Sequence, residues 1–314
     1  MLRLHHTPRG TTLVELLIGM VVGLIVLGVA LQLTLVVRTR YQRIADLALI
    51  EDRGAQALDL LTAAVQQAGW VTDTPASSGR RRWPDKTAPP SLQGRDDCRA
   101  SNVSIDGIQC ASQKSIEYSD ALVVRFAGKS RQSDSTQGDG SVVDCSGYDV
   151  PERAPDVSDD PRAGIMLLYL TESTDKDREP QLMCLSWGRN SGQPTTTLGN
   201  RSGMVRGVET MQFLYTVDSP DGASTQTLSA RNITTEQWHR VQAVHIALVV
   251  RGNYDDPNAV GKPAPTLALF PRLPDAQGTS EDLRFTPSQP LRRRAVFTAT
   301  VRLRNPLTCE VDIC

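Results

Sequence analysis

Glu15 is the residue of this chain whose position most needs a chemical explanation. It heads an apolar run with no charged residue from Leu16 to Val37, and it lies five residues past Gly10, which follows the basic leader residues Arg3 and Arg9. A charged side chain within a membrane helix costs roughly 2.5–3.5 kcal/mol at mid-helix on insertion scales, and less near an end. A carboxylate kept there is a functional-site candidate that needs a partner. The signals for catalysis are poorer. Of four histidines, His5 and His6 lie in the leader, and His239 and His245 flank a strand, where packing outweighs a metal pair. Ser173-Thr174-Asp175-Lys176 spells SxxK, but it sits in a polar turn with no SDN or KTG partner. There is no GxSxG, Walker loop or HExxH. The acids Asp175, Asp177 and Glu179, and the run Asp255-Asp256-Pro257-Asn258, offer calcium-type oxygens. They lack the glycine and terminal glutamate of an EF-hand and read as solvated turns. Neither an enzyme activity, a cofactor nor a metal is expected.

The remaining reactive residues are cysteines. All six (Cys98, Cys110, Cys145, Cys184, Cys309 and Cys314) follow the apolar run, and none forms a CxxC pair. An even count in an exported domain reads as disulfides. Cys309 and Cys314 would close a small ring, and Cys98 and Cys110 another local loop; the connectivity stays open. This usage puts the globular part in the periplasm and residues 1–10 in the cytoplasm.

These residues need elements to hold them. The apolar run is too long for a secretory peptide and long enough to span a bilayer, with the span at about residues 13–37. The sequence past the span stays helical in pattern: Leu47, Ile50, Gly54, Leu58, Leu61, Val65 and Ala68 keep three- and four-residue spacing as a core-facing stripe. No proline occurs from Thr11 to Trp70, and Gly69 is a plausible stop. The pattern predicts one helix over residues 11–70, about 55–60 residues and near 85 Å at 1.5 Å per residue. Gly19 and Gly23 form a GxxxG in its membrane half.

Residues 71–114 are rich in proline and polar residues, with an Arg80-Arg81-Arg82 cluster, and read as irregular solvated chain. Strands are expected at 116–126, 165–170, 181–187, 203–218, 241–251 and 295–304, with a hairpin around the turn Glu172–Pro180. The turn-rich segments 128–162, 219–235 and 252–290 are expected outside the core. The fold class is α+β, a long helix packed on a mainly antiparallel sheet, with residues 71–314 forming one β-rich domain with long loops. Basic and acidic residues number 34 and 35, giving a formal charge of −1. Without Arg3 and Arg9 the charge is −3, which argues against electrostatically driven nucleic-acid binding.

The head of the chain, Arg9-Gly10-Thr11-Thr12-Leu13-Val14-Glu15, resembles the class III signal of type IV prepilins and pseudopilins. Three later phrases resemble PilW-type minor pilins: Arg206–Asp218 (RGVETMQFLYTVD), Trp238–Arg251 (WHRVQAVHIALVVR) and Arg294–Asn305 (RAVFTATVRLRN). The resemblance implies cleavage after Gly10 by a prepilin peptidase and N-methylation of Thr11, where the family usually carries Phe or Met. It also implies pairing of Glu15 with the Thr11 amine of a neighbouring subunit. Such a chain starts in the bacterial inner membrane as a single-pass protein and moves to a pilus on the cell surface, serving adhesion and twitching. Implied partners are other minor pilins, the major pilin, the inner-membrane assembly platform and a tip adhesin. A J-like pseudopilin of type II secretion shares the signal. A membrane-tethered periplasmic enzyme or ligand-binding domain is the alternative of another class.

Overall fold

The computed structural model describes residues 12–71, 89–104, 107–111, 115–152, 164–190, 193–273 and 275–305. The chain divides into two units, residues 1–48 and 49–314. One helix, α1 (Leu13–Gln67), contributes to both. In the first unit every residue from Thr12 to Tyr41 is exposed, and the helix is long and apolar enough to cross a membrane. In the second unit Ile50, Gly54, Ala57, Leu61, Ala64, Val65 and Ala68 are buried. That stripe departs from the expected one at two places. Leu47 is 45% exposed and Leu58 only half-buried, while Ala57 and Ala64 supply buried positions instead. Small residues serve because the helix lies close to its neighbours: a Cβ on Gly54 would stand 2.3 Å from the Phe297 ring.

The strands are β1 (Leu92–Arg95), β2 (Ala100–Ser104), β3 (Gly107–Cys110), β4 (Ala121–Phe126), β5 (Ser130–Arg131), β6 (Asp134–Gly138), β7 (Gly164–Glu172), β8 (Pro180–Asn190), β9 (Gln193–Arg206), β10 (Val208–Asp218), β11 (Thr225–Leu228), β12 (Val241–Asp255), β13 (Leu267–Ala268), β14 (Arg284–Phe285) and β15 (Arg292–Arg302). A short helix, α2 (Ser280–Leu283), precedes β14. A first sheet has the order β1-β4-β7-β8-β9 and a second the order β11-β10-β12-β15. Every pairing within them is antiparallel. The expected hairpin is present as β7–β8, closing at Glu172 opposite Pro180.

The main core joins α1 to both sheets. Ile50, Leu61 and Val65 share it with Leu122, Val124, Leu168, Leu182, Phe213, Val244, Ile246 and Leu248. The opposite faces are covered too, which is why β4, β7 and β12 read as continuous apolar runs rather than alternating ones. Ala121, Val123, Ile165, Leu167 and Tyr169 pack with Cys98, Ala100 and Ile108 of the β2–β3 region. Ala247 and Val249 pack with Leu269, Phe270 and Phe285.

That second covering corrects the expectation that the turn-rich segments stay outside the core. Val150, Leu228, Ala230, Ile233, Leu269, Phe270 and Phe285 are all buried. Three strands also lie inside the stretch expected to be irregular, 71–114. The strand expected over 116–126 is a 3-10 turn, Ile116–Tyr118, followed by β4. The one expected over 203–218 is divided at Gly207, whose φ of +80 breaks the extended run between β9 and β10.

Candidate functional site: the helix head and its anchorage

Glu15 lies in the first turn of α1 and is exposed. Its Oε2 accepts the Thr12 N–H at 3.0 Å, and the Glu15 N–H donates to Thr12 Oγ1 at 3.3 Å. This is a reciprocal capping box, T-x-x-E, legible in the sequence from its spacing alone. The acid also sits at the favourable, positive end of the helix dipole. Part of the explanation for a carboxylate at this position is therefore local. Oε1 has no partner among the described residues. Gly10 and Thr11 lie outside those residues, as do Cys309, Cys314 and the Arg80–Arg82 cluster.

The other end of α1 is held by the far end of the chain. Gly69 takes φ +69, the left-handed conformation that terminates helices, and its N–H donates to the Arg125 carbonyl at 2.9 Å. Asn305 Nδ2 donates to the Ala68 carbonyl at 3.1 Å, one of the acceptors a helix end leaves open. Mid-way, Arg53 reaches across to Glu179 in the β7–β8 turn at 2.8 Å and to Asn253 Oδ1 at 3.3 Å. It passes over Gly207, where a Cβ would come within 2.6 Å of Arg53 Nη1. The positive φ is what favours glycine there, because the Arg53 tip is the flexible end of a long side chain.

Next to Gly207 lies a buried charge cluster that sequence reading does not identify. Glu209 on β10 is 1% exposed, and its carboxylate takes two bonds from Arg294 on β15: Nε to Oε2 at 2.9 Å and Nη2 to Oε1 at 3.2 Å. Arg251 on β12 stands 3.9 Å from the same carboxylate, with Nη1 donating to Gln289 Oε1 at 3.0 Å. Arg294 also donates to the carbonyls of Arg292 and Gln289. Bidentate guanidinium–carboxylate geometry with the remaining donors satisfied is the condition for a stable buried pair. Glu209, Arg251 and Arg294 come one each from the three sequence phrases given above. The signal was in those phrases; their meeting was not.

Among the cysteines, Cys98 is bonded to Cys110 and Cys145 to Cys184. The first staples the β2–β3 hairpin, and the second ties the loop after β6 to β8. His245 is buried in β12 between the hydroxyls of Thr216 at 2.8 Å and Thr300 at 2.9 Å, and burial pushes its imidazole to a lower pKa. His239 lies in the 3-10 turn Glu236–Arg240 ahead of that strand. The acidic turns are engaged by arginine: Asp175 with Arg206 at 2.6 Å, Glu179 with Arg53, Asp255 with Arg292 at 3.4 Å and Asp256 with Arg293 at 3.4 Å. No group of three or more His, Cys, Asp or Glu side chains that could hold a metal ion occurs among the described residues. Ser173 is buried, with its hydroxyl lacking a hydrogen-bond partner among them.

A long helix with an exposed apolar half, followed by antiparallel sheets, makes the α+β architecture that the sequence leads one to expect. Residues 168–305 match the model of the family described as type IV pilus-assembly protein W, PilW. The PilW resemblance thus stands over this stretch, which holds Glu209, Arg251, Arg294 and Asn305. No curated protein matches it. Among solved structures the chain is similar to the type IV-like pilin TTHA1219 from Thermus thermophilus. The two are 12% identical with a TM-score of 0.40, over 82% of this chain and 97% of that one.

Proposed function

We propose that this protein is a minor pilin that helps prime and assemble a type IV pilus, at or near its tip. One combination carries the reading: a Gly10–Glu15 head on an exposed apolar helix, in a chain whose later part matches the PilW model. The chain inserts once into the bacterial inner membrane with the β-rich part in the periplasm. A prepilin peptidase cuts after Gly10, and Thr11 becomes the methylated N-terminus. The subunit then leaves the bilayer for a helical bundle, where the apolar surface from Leu13 to Val37 is covered again.

Glu15 sets the axial register in that bundle by pairing with the Thr11 amine of a neighbour. An unpaired charge buried among apolar helices costs several kcal/mol, so the pair selects one stagger. The capping box supports this role, since it holds the carboxylate at the helix head while leaving Oε1 open to a second donor. The partners are other minor pilins, the major pilin and the inner-membrane assembly platform, with a tip adhesin beyond. The PilW match favours the pilus over a type II secretion pseudopilin.

Mass spectrometry of sheared pili tests the proposal. The expected result is this chain in the fibre, beginning at a methylated Thr11. A chain in the pilus that still begins at Met1, or one absent from pili and enriched with secretion components, refutes it.

A further inference from the structure

Three arginines follow directly on the apolar run: Arg38, Arg40 and Arg43. All three are exposed, and none has a side-chain ion pair or hydrogen bond among the described residues. Each guanidinium carries five donors and no acceptor. The hydroxyls of the same stretch are satisfied within the helix: Thr34 Oγ1 donates to the Ala30 carbonyl at 2.8 Å and Thr39 Oγ1 to the Val36 carbonyl at 2.9 Å. Tyr41, set among the arginines, is 73% exposed. The nearest acid along the helix past them, Asp46, is buried, and the next basic residue, Arg53, is engaged with Glu179.

The placement of these arginines around the helix separates two kinds of partner. At 3.6 residues per turn, Arg40 and Arg43 lie about one turn apart on one side, and Arg38 lies on roughly the opposite side. A neighbouring helix meets a stripe, whereas a surface that surrounds the helix meets a ring. Along the axis the step from Arg38 to Arg43 is about 7.5 Å, and the headgroup layer on each side of a bilayer is about 5–8 Å deep. The uncharged run Leu16–Val37 is about 33 Å long, against a hydrocarbon core of about 30 Å. With Glu15 at one boundary of that core, the ring begins at the other.

We propose that Arg38, Arg40 and Arg43 form a collar that binds the phosphates of anionic phospholipids, with the Tyr41 ring lying among the headgroups beside them. The collar meets the periplasmic leaflet in the orientation proposed above, on which this assignment rests. In that orientation Arg3 and Arg9 hold the cytoplasmic end until the leader is cut. Afterwards the collar is the cationic side-chain contact that remains beside the span, so the hold on the subunit passes to the side toward which it leaves. Each arginine at an anionic surface is worth about a fivefold preference.

Electron spin resonance of the full chain in phosphatidylcholine vesicles tests this, with spin-labelled phosphatidylglycerol or spin-labelled phosphatidylcholine as the probe. The reading is the ratio of the two lipids held immobile against the protein. The wild type is expected to favour phosphatidylglycerol about fivefold or more at about 0.15 M salt. Most of that preference should go at about 1 M, where the Debye length falls from about 8 Å to about 3 Å. Arg38→Gln, Arg40→Gln and Arg43→Gln combined should bring the ratio near unity. Arg272→Gln, Arg284→Gln and Arg302→Gln combined, at three exposed arginines of the β-rich unit, make the same change in net charge and should leave it unmoved. Equal holding of both lipids by the wild type overturns the proposal, as does a preference that the collar variant keeps or the control variant loses equally. A collar variant missing from pili, beside a wild type without lipid preference, assigns the arginines to the acids of a neighbouring subunit and overturns it too. Lipid holding is read without a pilus, so its failure is distinct from failure of the sheared-pilus experiment.

Discussion

The two ends of α1 draw on the same apolar residue types and meet opposite surroundings. From Leu13 to Val37 leucine, valine and isoleucine ring the helix on every side, and all of them are exposed. From Ile50 to Ala68 the buried positions form one stripe, four of its seven residues alanine or glycine. A helix apolar all round needs an apolar medium on all sides, which a bilayer or a helical bundle supplies. A helix with one narrow stripe of small residues needs one closely fitted surface, which the sheets supply through Phe297 and the strands behind it. The difference lies in how the apolar residues are distributed, since both ends are rich in them.

Breaking the fitted end should have the largest effect on folding. Glu209→Ala leaves Arg294 buried without its carboxylate and is expected to cost about 3–5 kcal/mol in denaturant unfolding. Membrane fractionation of that variant should show the apolar end inserting normally. A loss below about 1 kcal/mol would mean that the pair is solvated in the working protein.

Leu61→Ala and Leu24→Ala put the comparison on equal chemistry. Leu61 is fully buried, and its truncation should cost about 2–5 kcal/mol. Leu24 is 69% exposed, and its truncation should leave unfolding of the β-rich part unchanged. Equal losses would show that the two ends share one cooperative core.

The disulfides come next. Replacing Cys145 and Cys184 by serine opens a longer loop, separation 39 against 12 for Cys98 and Cys110. The chain-entropy account gives about 2–4 kcal/mol for such bonds, with the longer loop worth more. The order of the two double variants in thermal unfolding checks it.

The smallest folding effect belongs to the helix head. Thr12→Ala removes the cap and should cost about 1 kcal/mol of local helix stability, read as fraying of the first turn. Glu15→Leu should still insert and be cut, yet fail to enter pili in a complemented deletion strain. Normal incorporation and normal twitching of that variant would remove the basis for a register role.

Much of this was readable before any coordinates. Glu15, Gly69 and the unbroken apolar run mark a helix from head to stop, because each acts within a turn or two of its own position. The Glu172–Pro180 hairpin is equally local. The segments 252–290 and 128–162 misled because their apolar residues are sparse and lack a period. Leu269, Phe270 and Phe285 read as isolated side chains in a turn-rich stretch until they close over Ala247 and Val249.

Local spacing, then, determined the long helix, its exposed apolar half, its cap and stop, and the strands that carry the PilW phrases. Only the tertiary structure decided that Glu209 meets Arg294 and that Asn305 closes the helix end at Ala68. Periodicity is set by neighbours three or four residues apart, whereas these partners are 85 and 237 residues apart. Which distant group arrives, and whether water leaves when it does, is settled by packing of the whole β-rich unit.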